Sequence, residues 1–233
     1  MDTRYDLLLC DADDTLFDFG RAEENAFAEV CAYAGFSATP ELHATYTAIN
    51  SALWKLLEQG GITQKVLRVR RFEQFLEAIG RSDLDAAEVA AVFADALGRQ
   101  SVPIEGAVEA VARWSRIVPV IIVTNGISKI QHGRMNGSEV RHYIRGMVIS
   151  EEVGAAKPDP RMLEIGMEMA GITDKTRVLM LGDSLSSDMG AAANAGIDAC
   201  WYNPKQNVNT KGLPIRYEIT NLDDVDAILL GIN

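Results

Sequence analysis

Cysteine and histidine are scarce in this chain of 233 residues, three of each: Cys10, Cys31 and Cys200, and His43, His132 and His142. The cysteines are scattered through apolar text, so they read as buried thiols rather than a disulfide framework, and the chain is expected to be cytoplasmic and reduced. No His/Cys spacing suits zinc. No apolar run approaches the roughly 20 residues that a membrane helix needs. Met1-Asp2-Thr3-Arg4 leads into an apolar run too short for a secretory signal, and no small-residue cleavage site follows it. Positive charge is short as well. Lys and Arg number 22 against 33 Asp and Glu, a net charge of -11, which opposes a broad nucleic-acid surface because phosphate backbones attract basic patches. One small phosphorylated ligand stays compatible with it, since a bound cation and a few local donors can reverse the field inside a pocket.

What is present is a globular composition, 48% apolar, written in two kinds of text. Apolar runs at Tyr5 to Cys10, Val118 to Val123, Arg145 to Ile149, Arg177 to Leu181 and Ile197 to Trp201 read as five strands. Helical stretches such as Asp159 to Ala170 and Ser186 to Ala195 join them. That alternation predicts an α/β fold, an open and mostly parallel sheet covered on both faces. Residues from about 20 to 98 show helical periodicity without strands, in stripes carried by Phe27 and Val30, by Tyr46 and Leu53, by Val66, Phe72 and Phe75, and by Val89 and Phe93. Thr39-Pro40-Glu41 supplies a cap followed by proline in the first turn, and Asp85 with Glu88 has capping-box spacing. The reading is a catalytic core of residues 1–18 and 99–233, Rossmann-like in its sheet, interrupted by an all-helical insert over 19–98.

Four polar clusters fall at the ends of the apolar runs. The first is Asp11-Ala12-Asp13-Asp14-Thr15. Two carboxylates two residues apart at a strand end are costly for a core and useful for chemistry, although the third carboxylate and the threonine indicate that the backbone has left the strand by Asp13. The others are Thr124-Asn125-Gly126, Lys157-Pro158, and Gly182-Asp183-Ser184 with Asp188. Open α/β sheets bind ligands at the carboxyl ends of their strands. Asp11, Asp183 and Asp188 offer the hard oxygen ligands that Mg²⁺ prefers. Lys157, the Thr124 hydroxyl and the amides of the turn after it are what a phosphoryl group needs as charge shifts during transfer.

In this order the four clusters resemble the motifs of the haloacid dehalogenase-like superfamily of phosphohydrolases. The resemblance implies that Asp11 is the nucleophile and forms an aspartyl-phosphate. Asp13 would be the general acid and then the base. Thr124 and Lys157 would hold the phosphoryl group, with Asn125 beside them. Asp183 and Asp188 would bind Mg²⁺, for which Mn²⁺ or another divalent ion could substitute, together with Asp11 and the backbone carbonyl of Asp13. The dehalogenases of the superfamily lack the second acid, so Asp13 argues for a phosphate ester over a carbon–halogen bond. Residues 16–123 separate the first motif from the second and only residues 126–156 separate the second from the third, which resembles the branch with a helical cap after the first motif.

Within that branch the text Ile149-Ser150-Glu151-Glu152-Val153-Gly154, the run Gly182 to Asp188, and Cys200-Trp201-Tyr202-Asn203 are similar to pyrimidine nucleoside 5'-monophosphate phosphatases. The implied partner is a small phosphorylated metabolite, a nucleotide, with no nucleic-acid polymer and no membrane, for a monomer or homodimer. Phosphatases or mutases acting on a sugar phosphate or phosphoglycolate stay open as alternatives, and so does a non-catalytic binding protein. Phe17 and Phe19, just after the first motif, are candidates to line a wall for a planar base, with Tyr46 and Trp54 more at home in the core of the insert. Lys65, Arg68, Arg70 and Arg71 read as a solvated helix face. The chain departs from the family over Gly133-Arg134-Met135-Asn136-Gly137-Ser138-Glu139-Val140. Each interior glycine there costs roughly 1 kcal/mol of helix stability against alanine, so a weak or bent helix is expected.

Overall fold

The computed structural model describes residues 3–232, and among these six strands form one parallel sheet. They are β1 (Leu7–Cys10), β2 (Val120–Thr124), β3 (Gly146–Ile149), β4 (Val178–Gly182), β5 (Asp198–Tyr202) and β6 (Tyr217–Ile219). The helices are α1 (Phe19–Tyr33), α2 (Pro40–Glu58), α3 (Gln64–Ala78), α4 (Ala86–Gly98), α5 (Ala107–Trp114), α6 (Ser128–Asn136), α7 (Ser150–Val153), α8 (Arg161–Ala170), α9 (Gly190–Ala195) and α10 (Asp224–Leu230). No described helix is long and apolar enough to cross a membrane.

Strands β1, β2 and β4 are buried at every position. A parallel strand covered on both faces has no side left for polar residues, which is why Leu7–Cys10 and Val120–Val123 are continuous apolar runs. The sheet order is β3-β2-β1-β4-β5-β6, so the chain moves outward from β1 in one direction and then, from β4, in the other. The crevice between β1 and β4 is a topological switch point, where such sheets bind ligands. Register pairs Cys10 with Leu181 and with Ile122. The residues just past these, Asp11 and the Gly182-Asp183 pair, therefore leave the sheet side by side.

β6 is the strand that sequence patterning does not reveal. It is three residues long, lies at the sheet edge, and is only partly buried, so it carries neither an apolar run nor an alternation.

The chain divides into two compact units. One comprises residues 1–19, 102–128 and 138–233 and holds the sheet. Its core includes Leu9, Ile121, Val123, Met162, Leu163, Met180 and Trp201. The three cysteines of the chain are buried and free, and burial pushes their thiols up in pKa.

The other unit comprises residues 20–101 and 129–137. Two of its helices start as the sequence indicates: Thr39 accepts the Leu42 N–H ahead of Pro40, and the Asp85 carboxylate accepts Ala87 N–H at 2.7 Å and Glu88 N–H at 3.3 Å; α3 is capped in the same way by Thr63, which accepts the Val66 N–H. Its core is aromatic. Tyr46 lies with ring centroids 5.1 Å from Phe27, 5.4 Å from Phe72 and 5.5 Å from Phe93. Tyr46 is thus fully buried packing, while Trp54 is half-buried.

Two sequence expectations change in this unit. The basic run does not share a face, because residues 65, 68, 70 and 71 point around the helix at 3.6 residues per turn. Lys65 and Arg70 are exposed, but Arg71 is buried, donates to Asn50 Oδ1 at 3.3 Å, and lies 4.6 Å from the Phe93 ring centroid. Val66 is exposed and its neighbour Leu67 takes the inward position. Second, residues 129–137, expected with the core segment 99–233, belong to the helical unit. A Cβ at Gly133 would stand 2.6 Å from the Gly98 carbonyl oxygen and 3.2 Å from its Cα. Backbone cannot yield there, so Gly133 permits α6 to lie against the end of α4. Ser101 donates to the Arg134 carbonyl at 2.6 Å and Arg134 Nε donates to the Gln100 carbonyl at 3.1 Å, in the same contact. The helix is regular to Asn136 and stops before Gly137, giving way to a 3₁₀ turn at Glu139–His142.

Candidate active site

Asp11 lies one residue beyond β1 and donates its N–H to the Leu181 carbonyl at 2.9 Å, so its backbone is still held by β4. The chain then turns tightly: both Leu16 and Phe17 donate to the Ala12 carbonyl at 2.9 Å. Asp14 makes that turn possible with a left-handed backbone (φ 59°), and its carboxylate accepts the Phe19 N–H at 3.1 Å. An acidic side chain that bonds its own backbone tolerates this conformation, so Asp14 is a turn former. Asp13 is half-buried.

Lys157 is the hub. It is 1% exposed, and its ammonium donates to Asp11 Oδ1 at 2.5 Å, Asp188 Oδ1 at 2.6 Å and the Val123 carbonyl at 2.7 Å. All three of its protons therefore have acceptors. Burial opposes its charge, but Asp11 and Asp188 outweigh burial and hold its pKa above the usual lysine value. Asn125 braces it from the other side, its side-chain amide donating to the Lys157 carbonyl and accepting the Lys157 N–H, both at 2.7 Å. Asn125 was expected among the substrate-binding residues; its side-chain amide is engaged by the Lys157 backbone and by Ser187 Oγ at 3.4 Å. Thr124, buried at the end of β2, lies between two residues that both grip Lys157.

The carboxylates of Asp11, Asp183 and Asp188 offer oxygen atoms within 4.8 Å of one another. Asp13 adds no carboxylate to this group. Asp188 is 1% exposed and lies so close to the backbone that a Cβ at Gly182 would stand 2.4 Å from its Cγ, which makes glycine obligatory there. Its Oδ2 accepts the Ser184 N–H at 2.9 Å. Trp201 donates its indole N–H to the Asp183 carbonyl at 2.7 Å and so fixes the backbone that carries that carboxylate. Sequence reading names Asp183 and Asp188 but misses Gly182 and Trp201 as the residues that place them. Their only signal is the membership of Gly182 in the fourth cluster and the place of Trp201 at the next strand end.

The electrostatics are unbalanced. When all three are ionised, the carboxylates of buried Asp11 and Asp188 and half-buried Asp183 face one ammonium, an excess of two negative charges. Burial raises the Asp11 pKa well above the usual carboxylate range, with Lys157 lowering it and Asp188 and Asp183 raising it further. Asp183 is pushed up to about 7, first by burial and then by Asp188. A charge deficit of two, ringed by hard oxygens, fits a divalent cation such as Mg²⁺, which takes a few carboxylates and keeps several waters. A cavity of about 300 Å³ adjoins the cluster, with Asp14, Asp183, Tyr202 and Lys205 among its lining.

Phe17 is 1% exposed and its backbone bridges Pro103, so it is packing as it stands and offers no ring face to a ligand. Phe19 is half-buried.

The family model of the haloacid dehalogenase-like hydrolases matches residues 5–196, which include Asp11, Thr124, Lys157, Asp183 and Asp188. The chain belongs to that family. This haloacid dehalogenase-like chain is 31% identical to the pyrimidine 5'-nucleotidase YjjG of Escherichia coli, over 97% of its own length and 98% of that protein. It is 34% identical to the pyrimidine 5'-nucleotidase PynA of Streptococcus pneumoniae, over 95% and 93%. Among solved structures it is similar to the HAD-hydrolase YfnB of Bacillus subtilis, solved bound to magnesium and described as revealing interdomain movement. That structure has a TM-score of 0.90 and 30% identity, and the match covers 97% of this chain and 99% of that one. The protein is an enzyme, a phosphatase of the haloacid dehalogenase-like family.

Proposed function

We propose that the chain is a Mg²⁺-dependent phosphatase that removes phosphate from pyrimidine nucleoside 5'-monophosphates through an aspartyl-phosphate. The observation that carries the chemistry is Lys157 clamped between Asp11 and Asp188, beside a carboxylate group short of two positive charges. The substrate class rests on the two pyrimidine 5'-nucleotidases that the chain resembles over nearly its whole length.

Asp11, held through Oδ1 by Lys157, attacks phosphorus. The new bond joins its carboxylate oxygen to phosphorus as the bond from phosphorus to the nucleoside oxygen breaks. Asp13 gives its proton to that leaving oxygen, then takes a proton from the water that attacks the aspartyl-phosphate. Orthophosphate departs and Asp11 is restored. Lys157 and Thr124 neutralise and orient the phosphoryl oxygens. Asp11, Asp183 and Asp188, with the carbonyl of Asp13, would hold the cation, which supplies positive charge to the phosphoryl oxygens and keeps Asp11 ionised.

A substrate panel tests the reading. Purified protein with Mg²⁺ should show its highest kcat/KM for UMP, CMP or dTMP among nucleotides, sugar phosphates, phosphoserine and phosphoglycolate. A flat panel, or a best substrate without a pyrimidine, refutes the substrate class and leaves the phosphatase chemistry standing.

A further inference from the structure

Three successive residues of α7 grip the turn that follows β2. Ser150 Oγ donates to the Gly126 carbonyl at 3.3 Å. The Ser128 N–H donates to Glu151 Oε2 at 2.9 Å. The Ser128 hydroxyl donates to Glu152 Oε1 at 2.6 Å. Register makes this possible, because Thr124 at the end of β2 pairs with Ile149 at the end of β3, so α7 starts directly beside the 125–128 turn.

The position of the grip is informative. Ser128 is counted with the sheet unit, whereas residues 129–137 of the same helix belong to the helical unit through Gly133, Ser101 and Arg134. Lys129, the first residue past the boundary, pairs with Asp95 of α4. The turn that carries Thr124 and Asn125 is therefore continuous with a helix fastened elsewhere. A carboxylate on the first N–H of a helix is favourable in its own right, since that donor has no partner within the helix and the helix dipole is positive there.

We propose that Ser150, Glu151 and Glu152 are positioning residues that fix the Thr124–Ser128 turn, so that its phosphoryl-binding groups keep their geometry independently of the helix beyond it. The inference rests on the reading of Thr124 as a phosphoryl ligand. Without the clip, strain or motion carried along α6 reaches Thr124 after four residues. With it, the strain ends at Ser128.

The test compares Glu151→Ala, Glu151→Gln and Ser128→Ala with the parent protein. Two readouts are used: amide hydrogen exchange of residues 124–128 against residues 178–182 of β4, and inhibition by orthophosphate in the presence of Mg²⁺. Glu151→Ala removes a charge-assisted bond, so exchange of 124–128 should quicken about tenfold and orthophosphate inhibition should weaken about tenfold. Exchange of β4 should stay unchanged. Glu151→Gln keeps a carbonyl acceptor and should recover most of both effects, and Ser128→Ala should show a smaller version of them. Unaltered exchange at 124–128 in Glu151→Ala overturns the clip, whatever the substrate is. Quickened exchange with unchanged orthophosphate inhibition overturns its bearing on the phosphoryl site, and a Gln variant as impaired as the Ala variant overturns the hydrogen bond as its means. A parent protein that binds no orthophosphate and releases none from any ester refutes the proposed function instead, while the exchange result still decides the clip.

Discussion

A buried carboxylate is useful only if something keeps it ionised; at Asp11 the Lys157 ammonium acts in that direction, and the proposed cation would add to it. Asp11→Asn removes the nucleophile, because an amide nitrogen or oxygen does not form the acyl phosphate. Steady-state turnover on an aryl phosphate should fall on the order of 10⁴-fold or more. Asp183 makes a prediction about pH. Its folded pKa is raised from 3.8 to about 7, so in metal-free protein the folded state holds the proton more tightly than the unfolded chain does. That contribution is fully present below the unfolded pKa and is lost as pH rises through about 7. In chelator, Tm should therefore decline across this window, and Mg²⁺, which favours the ionised form, should flatten the decline. A metal-free Tm that rises from about pH 5 to about pH 7.5 contradicts the assignment. At this scale the sequence is eloquent about charge and silent about support. Asp11, Lys157 and Asp183 stand out as polar residues at strand ends in apolar text. Asn125 and Gly182 are picked out with their clusters, but their supporting tasks, like that of Trp201, are not legible, since the partners that explain them, Lys157, the Asp188 carboxylate and the Asp183 carbonyl, come from other points on the chain.

Elements differ in how much of their cause is local. The four helices between Phe19 and Gly98 are legible because each carries its own apolar period, and for α2 and α4 the capping residue stands immediately before the helix. Asp85→Ala should cost about 1 kcal/mol in chemical denaturation, the usual value of an N-cap carboxylate; no loss would mean that tertiary packing alone sets the start of α4. β6 escapes because three residues carry too little pattern, and its pairing with β5 is a property of the sheet. α6 is the instructive case. Its glycine predicts weakness if only local propensity counts, yet Gly133 admits the Gly98 backbone at a distance no side chain tolerates. Gly133→Ala should therefore destabilise the protein although alanine is the better helix former. The overpacking cost is typically about 1–3 kcal/mol, measurable by denaturant titration. A stabilised Gly133→Ala protein would mean that local propensity outweighs the contact.

For the whole molecule, the net charge of -11 is a statement about what the site must import. A strongly acidic protein that handles a phosphate ester needs local positive charge, and Lys157 supplies one unit where the buried carboxylates call for three. The sheet order puts that imbalance at the one crevice where chain direction reverses. The most direct measurement is phosphate release from UMP by purified protein, with Mg²⁺ and again after exhaustive chelation, with the Asp11→Asn variant in parallel. The account predicts turnover with Mg²⁺, none after chelation, recovery when Mg²⁺ is returned, and none for the variant in any condition. Turnover that persists without metal, or in Asp11→Asn, contradicts it.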